Sequence, residues 1–251
     1  MIGHPLLRPD WPAPAAVCAF VTTRDMPGNS QPPYDAFNLG LRSGEDEAVV
    51  RANRDLLIRA FGLPAMPYWL RQVHGNDVAV FDAGSDAAEE RTADAAITRS
   101  AGVVLAILTA DCMPVLLCAA DGSEIAALHA GWRGLSGGVV ESCIGRMRTR
   151  PANLLAWLGP AIGAASYEVG DEVREAFVAS DRDAGVAFTA RRPGHWLCDL
   201  YTLARRRLAA LGVVAVHGGG FDVFTDARFY SYRRDGARSG RFATLIHIAA
   251  P

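Results

Sequence analysis

The sequence predicts an α+β chain, with mixed sheets covered by helices rather than a regular alternation of strand and helix. Two observations lead there. Short apolar runs of strand length outnumber helical patterns. Several of those runs also adjoin through tight turns such as Asp121-Gly122, too short to hold a crossover helix.

Taken in order, "CAFVTT" (residues 18–23) reads as an early strand. "DMPGNSQPPYDAFNLG" (25–40) is rich in Pro, Gly and Asn and reads as a loop, long enough to suggest a functional one. "SGEDEAVVRANRDLLIRAFG" (43–62) reads as a helix. Acidic residues fill its first turn, Val49, Asn53, Leu56 and Ala60 share a face, and Gly62 can end it. "YWLRQV" and "DVAVFD" are strands around the turn His74-Gly75-Asn76. "VVLAIL", "PVLLCA" and "EIAALHA" are buried-strand runs. A helix follows over residues 135–148, with Val140, Cys143, Ile144 and Met147 inward. "DLYTLARRRLAALG" (199–212) is a helix capped by Asp199, striped by Leu200, Leu203, Ala204, Leu208 and Leu211, and stopped by Gly212. "VVAVHG" and "RFATLIHIA" close the chain as strands.

Composition narrows the function. Half of the 251 residues are apolar and the net charge is −2, which argues against a general nucleic-acid binder. No apolar run approaches the roughly 18 residues of a membrane span, and the start lacks a basic-then-apolar secretory pattern. Five scattered cysteines with no CxxC pair point to a reducing cytoplasm rather than a disulfide scaffold or a zinc knuckle. Cys18, Cys118, Cys143 and Cys198 read as core.

Cys112, His74 and His129 are the residues to watch. Each ends or borders an apolar run and precedes a flexible or bent stretch ("ADCMP", "HGND", "HAGWRG"). Two imidazoles and a thiolate at three strand ends form a zinc set with an open fourth position; three buried, satisfied side chains would look the same in sequence. Asp111 reads as a base, a carboxylate behind a ligand, or a turn residue. The other histidines read as ordinary: His4 at a mobile terminus, His195 in a loop, His247 on a strand, and His217 at a strand or cleft edge. All 25 basic residues are arginine. Arg24, Arg133 and the group Arg233, Arg234, Arg238 and Arg241 suit phosphate or carboxylate, although the last group also reads as a solvated hairpin loop. Asn38 is a turn residue or a polar substrate contact.

Six motifs in order, "TTR…PYDAFNLG", "RQVHGNDV", "TADCMPVLL", "LHAGWRGL", "LGPAIGAASYEVGDEV" and "FYSYRRDGARSGRFATLI", resemble the multicopper polyphenol oxidase or laccase-domain family over residues 18–249. That family includes a peptidoglycan editing factor and purine nucleoside phosphorylase-type proteins. The sequence departs from the family pattern in lacking Gly-Gly after Arg24. The resemblance implies one domain over 1–251, built as a four-layer α/β/β/α sandwich related to cytotoxic-necrotizing-factor-like cysteine hydrolases. It implies zinc ligands at His74, Cys112 and His129, with copper a less favoured occupant.

It further implies a zinc-dependent purine nucleoside phosphorylase that also splits methylthioadenosine and deaminates adenosine. Cys112, Asp111 and His129 are then catalytic, and Arg24, Asn38 and Arg133 bind a small-molecule substrate, with Tyr34 or Phe37 stacking on the base. The usual base-deaminase signature is absent, so deamination needs a different site. Two alternatives stay open. One is an amidase editing cell-wall precursors, through zinc-activated water or a Cys112 nucleophile with His129 as base. The other is a metal or nucleoside binder without turnover, with "YEVGDEV" as a partner surface or a plain amphipathic helix. Copper-laccase oxidation is disfavoured, because only six histidines exist and no His-x-His pair occurs.

Overall fold

The computed structural model describes residues 6–87 and 90–250; His4 lies outside them. In chain order the strands are β1 (Val17–Val21), β2 (Leu70–Arg71), β3 (Val78–Phe81), β4 (Arg91–Thr92), β5 (Ala95–Thr98), β6 (Val104–Thr109), β7 (Met113–Ala119), β8 (Ile125–Ala130), β9 (Leu154–Leu158), β10 (Glu168–Gly170), β11 (Phe188–Arg192), β12 (His195–Cys198), β13 (Ala215–Gly218) and β14 (Phe242–Ile248). The helices are α1 (Glu47–Phe61), α2 (Trp132–Ser136), α3 (Val139–Arg146), α4 (Asp171–Val178), α5 (Leu200–Ala210) and α6 (Tyr232–Asp235).

A mixed α+β fold with several sheets results. An antiparallel sheet orders β1-β14-β6, and a mixed six-stranded sheet orders β13-β9-β7-β8-β5-β3. Small-sheet strands β6 and β14 lie against β8 of the large sheet. Alternation along each strand divides the small sheet's side chains. Val17, Ala19, Val21, Leu105, Ile107, Phe242 and Ile246 join the main core. Phe20, Val104, Ala106, Ala243 and Leu245 face the other way and pack with Leu57 of α1. Helix α3 covers β8, β5 and β3.

The long loop and α1 depend on each other. Asp46 caps the helix through its side chain and Gly62 ends it in the left-handed conformation. The buried stripe is Val50, Asn53, Arg54 and Leu57; of the expected face Val49, Asn53, Leu56 and Ala60 it keeps only Asn53. Two polar residues inside the stripe explain the shift. Asn53 donates to the Ser30 hydroxyl and the Asn38 carbonyl. Arg54 lies over the Trp69 ring and donates to the Leu39 carbonyl and Glu90.

Other expectations change as well. Strands do flank the His74 turn, and each pairs elsewhere: β2 with β4 and β3 with β5, both parallel. The helix expected over 135–148 is two helices, broken at Gly137-Gly138, where Gly138 has φ of 88°. Of "YEVGDEV", residues 168–170 are strand β10 while Asp171 begins helix α4 with the expected acidic first turn; His195 begins strand β12 rather than sitting in a loop, and the arginine group 233–234 is in helix α6 rather than a hairpin loop. Helix α5 is capped by Asp199 as expected. Cys118, Cys143 and Cys198 are buried and Cys18 is half-buried, all as free thiols. Among the described residues no helix is long and apolar enough to cross a membrane.

The shifted stripe is directly testable. Leu57→Ala should cost about 2–5 kcal/mol of unfolding free energy in denaturant titration. Ala60→Glu, at an exposed position, should stay within about 0.5 kcal/mol of wild type.

Candidate metal centre

Sheet topology brings the chemistry to one end of the sandwich. Pairing of β7 with β8, β8 with β5 and β5 with β3 sets the start of β7, the end of β8 and the starts of β5 and β3 in one row. Cys112 immediately precedes β7, His129 sits next to last in β8, Asp94 precedes β5, and His74 lies in the turn before β3. From the facing sheet, Thr109 ends β6 opposite Phe242, so Arg241 arrives at the same end.

The donor atoms of His74, Cys112 and His129 lie within 4.8 Å of one another. Cys112 Sγ is 3.8 Å from His74 Nε2, and the two imidazoles meet edge to face at 4.8 Å between centroids. Two features of the chain make this closeness possible. At Gly131 a Cβ would lie 2.7 Å from Cys112 Sγ and 3.2 Å from His74 Cδ2. At Gly134 it would lie 2.9 Å from the Gly75 carbonyl, so the Cys112 sulfur leaves no room for a side chain at Gly131 and the His74 turn leaves none at Gly134.

Asp94, outside the set of expected site residues, organises the site. It is fully buried. Its carboxylate lies 2.7 Å from His129 Nδ1 and accepts the amides of Val73, His74 and Gly75 at 3.1, 2.9 and 2.7 Å. With Nδ1 donating to Asp94, His129 has Nε2 free toward Cys112 and His74. That is how a carboxylate behind a histidine usually fixes a metal ligand's tautomer. Burial opposes the Asp94 charge, but the His129 hydrogen bond and charge and the loop amides hold its carboxyl below the usual range. A faint signal for Asp94 did exist: the triplet Thr-Ala-Asp occurs at both 92–94 and 109–111.

Electrostatics favour a charged pair here. Burial alone would raise the Cys112 thiol, yet the charge on His129 and hydrogen bonds from both histidines bring it down to about 6. Burial would lower His129, but the Cys112 thiolate and Asp94 raise it to about 9. Thiolate and imidazole donors fit a borderline divalent ion such as zinc, and three protein donors leave one position for a reactant.

These groups open on a cavity of about 510 Å³. Arg133, Arg233 and Arg241 line it with Tyr167, Tyr232, Thr109 and Asp111. Among the described residues none of these three arginines has a carboxylate partner in an ion pair. Arg133 lies over Trp132, Arg233 donates to the Glu168 carbonyl, and Arg241 donates to the Ser239 and Gly240 carbonyls. Asp111 accepts from the Ser231 hydroxyl at 2.6 Å and the Arg233 amide at 2.7 Å, which ties the cavity wall to α6. Burial raises its pKa against those bonds.

The remaining expected substrate residues stand further back. Arg24 is paired with Asp35 and Asp235 and packs over Tyr230, and it is not among the cavity-lining residues. Asn38 is fully buried. Its Oδ1 accepts the Arg241 and Gly40 amides and its Nδ2 donates to Ser43 and Glu45, so it braces two segments of the cavity wall from behind. Tyr34 and Phe37 are buried away from the cavity, whose aromatic lining is Tyr167 and Tyr232.

Fold and site together define an α+β protein with a His-Cys-His group able to hold a metal ion at the mouth of an arginine-lined cavity. The model of the multi-copper polyphenol oxidoreductase laccase family matches residues 18–249, and the chain belongs to that family. It is 52% identical to a protein of Xylella fastidiosa named purine nucleoside phosphorylase, over 97% of this chain and 96% of that one. It is 48% identical to Escherichia coli purine nucleoside phosphorylase YfiH, over 97% and 98%. Among solved structures, Neisseria meningitidis protein NMB0706 superposes with a TM-score of 0.91 at 42% identity, covering 98% and 99% of the two chains. YlmD from Geobacillus stearothermophilus gives 0.85 at 30% identity, covering 94% and 93%.

Two measurements probe this centre. In chelator-treated protein, iodoacetamide should alkylate Cys112 with a rate that falls off below about pH 6, the pKa of its thiol. Cys118 and Cys198, raised by burial to about 12, should stay unmodified. Asp94→Asn should weaken zinc binding by roughly 10–100-fold in a competition titration with a chromogenic chelator.

Proposed function

We propose that this chain is a zinc-dependent purine nucleoside phosphorylase acting in the cytoplasm on small-molecule substrates. The observation that carries the reading is the juxtaposition of the His74, Cys112 and His129 donors with Arg133, Arg233 and Arg241, three cations with no carboxylate partner among the described residues, around one cavity. Relatives at 48–52% identity that are named purine nucleoside phosphorylases support it.

In phosphorolysis a phosphate oxygen forms a bond to the ribose anomeric carbon as the bond to the purine nitrogen breaks. The purine leaves with the bonding pair and takes up a proton. Arginine forks hold phosphate bidentately, and Arg133, Arg233 and Arg241 supply three. Tyr167 and Tyr232 offer ring faces for the base. Asp111, raised by burial, is our candidate for the proton the purine acquires. The bound divalent ion would polarise a substrate oxygen or acidify a coordinated water. Adenosine deamination and methylthioadenosine phosphorolysis are further activities this site would host. Copper oxidation is not proposed, since the site has three protein donors for one ion.

A second reading has its own observation. Without metal, Cys112 and His129 form a thiolate-imidazolium pair, the arrangement of a cysteine nucleophile and its base. It would suit amide cleavage on muramoyl cell-wall precursors and the implied kinship with cysteine hydrolases. A metal on Cys112 would block that nucleophile, so the readings exclude each other at that atom.

Incubation of the zinc-loaded protein with inosine and phosphate should release ribose 1-phosphate, and none should form without phosphate. Arg241→Gln should raise the KM for phosphate roughly 10–100-fold, the loss expected for a charge-assisted hydrogen bond. Serine release from a muramoyl nucleotide, with nucleosides untouched, would replace the first reading by the second.

A further inference from the structure

Among the described residues, Thr109 is one of the few buried polar groups that the fold leaves unused. It ends β6, is 1% exposed, and its hydroxyl oxygen has no hydrogen-bond partner. A buried hydroxyl without a partner is costly, because water's hydrogen bonds have been removed and nothing replaces them. Valine has nearly the same shape without that cost. The fold therefore gains nothing from the oxygen at this position, and an unsatisfied buried group in a folded chain asks for an explanation.

Thr244 provides an internal comparison. It lies on β14, the strand paired with β6, is also fully buried, and its hydroxyl is equally without a partner. The two differ in one respect. Thr109 lines the cavity at the metal centre, three positions before Cys112, whereas Thr244 does not line it. Of the two, only Thr109 belongs to the wall that a molecule filling the cavity would meet.

The chemistry of the cavity narrows what that partner is. Its charged groups, Arg133, Arg233, Arg241 and Asp111, suit the charged or protonating parts of a reactant, and its tyrosines suit a ring. A threonine hydroxyl is neutral and both donates and accepts. Its natural complement is another neutral group that does both, and the only such group on a purine nucleoside's sugar is a hydroxyl. We infer that Thr109 is a specificity-determining residue that hydrogen-bonds a ribose hydroxyl, 2′ or 3′, and so makes the site select ribonucleosides over the corresponding deoxynucleoside. This rests on the nucleoside reading of the preceding subsection.

The experiment compares wild type, Thr109→Val, Thr109→Ser and Thr244→Val on inosine, 2′-deoxyinosine and 3′-deoxyinosine in the presence of phosphate, with thermal melting of each protein. Wild type should favour inosine over one of the two deoxy substrates by roughly tenfold in kcat/KM, the size of one neutral hydrogen bond. Thr109→Val should lose roughly that factor on inosine and on the deoxy substrate that keeps the contacted hydroxyl, but not on the one that lacks it, so that the preference collapses, while its melting temperature does not fall. Thr109→Ser should keep the preference, and Thr244→Val should keep both the preference and the rate.

If Thr109→Val retains the wild-type preference, or loses activity equally on all three substrates, the assignment is overturned and the nucleoside reading survives. If wild type cleaves none of the three, the nucleoside reading falls and takes this inference with it.

Discussion

One carboxylate holds the site in register. Asp94 gathers three consecutive backbone amides and one imidazole from segments 19 to 35 residues away in sequence. Removing it would leave three consecutive amides and the buried His129 without an acceptor. Each hydrogen bond to a charged group contributes about 1.5–3 kcal/mol, so the His74 turn has no comparable alternative anchor. Gln72 reinforces the same segment from the other side. Its amide group both donates to and accepts from the backbone of Leu108 on β6, as a neighbouring strand would. The turn bearing His74 is thereby fixed to both sheets at once.

That double attachment explains how a site made of turns can be exact. The chain leaves the small sheet at Thr109 and enters the large sheet at Met113, with Asp111 and Cys112 in between. Asp111 has a φ of 90°, a conformation that non-glycine residues seldom adopt, and its side chain is held by Ser231 and the start of α6. The backbone turns sharply here and presents Cys112 at the cavity wall. Geometry at the reactive end is set by where strands stop, which the two cores decide far from the chemistry.

Much of this was legible in the sequence, and the parts that were not have a common cause. Cys112, His74 and His129 announced themselves because each borders an apolar run and is followed by residues that bend the chain. Helices α1 and α5 were legible through their caps. Asp94 was not, since an acid before a short strand looks like any turn residue until its partner, 35 positions away, is known. Asn38 and Arg24 were legible as candidate polar contacts, but that one braces the wall from behind and the other is already engaged by two carboxylates depends on partners distant in sequence. The stripe of α1 was legible at Asn53 but misplaced around it, because Arg54 is buried to hold a loop and a periodicity reading does not expect an arginine on the inner face. Helix α6 was hidden because its first turn is anchored by Ser231 and Asp111 rather than by an apolar face.

The passage from one sheet to the other at residues 109–113 has a consequence for motion. β7 lies inside the large sheet between β9 and β8, and β6, the edge strand of the small sheet, packs on β8, so the segment between them is held by both layers. Slow amide exchange near Cys112 and His129 would then track global unfolding rather than a local opening. Whatever enters this cavity comes and goes through its mouth, past side chains that rotate, while the peptide scaffold beneath them stays closed.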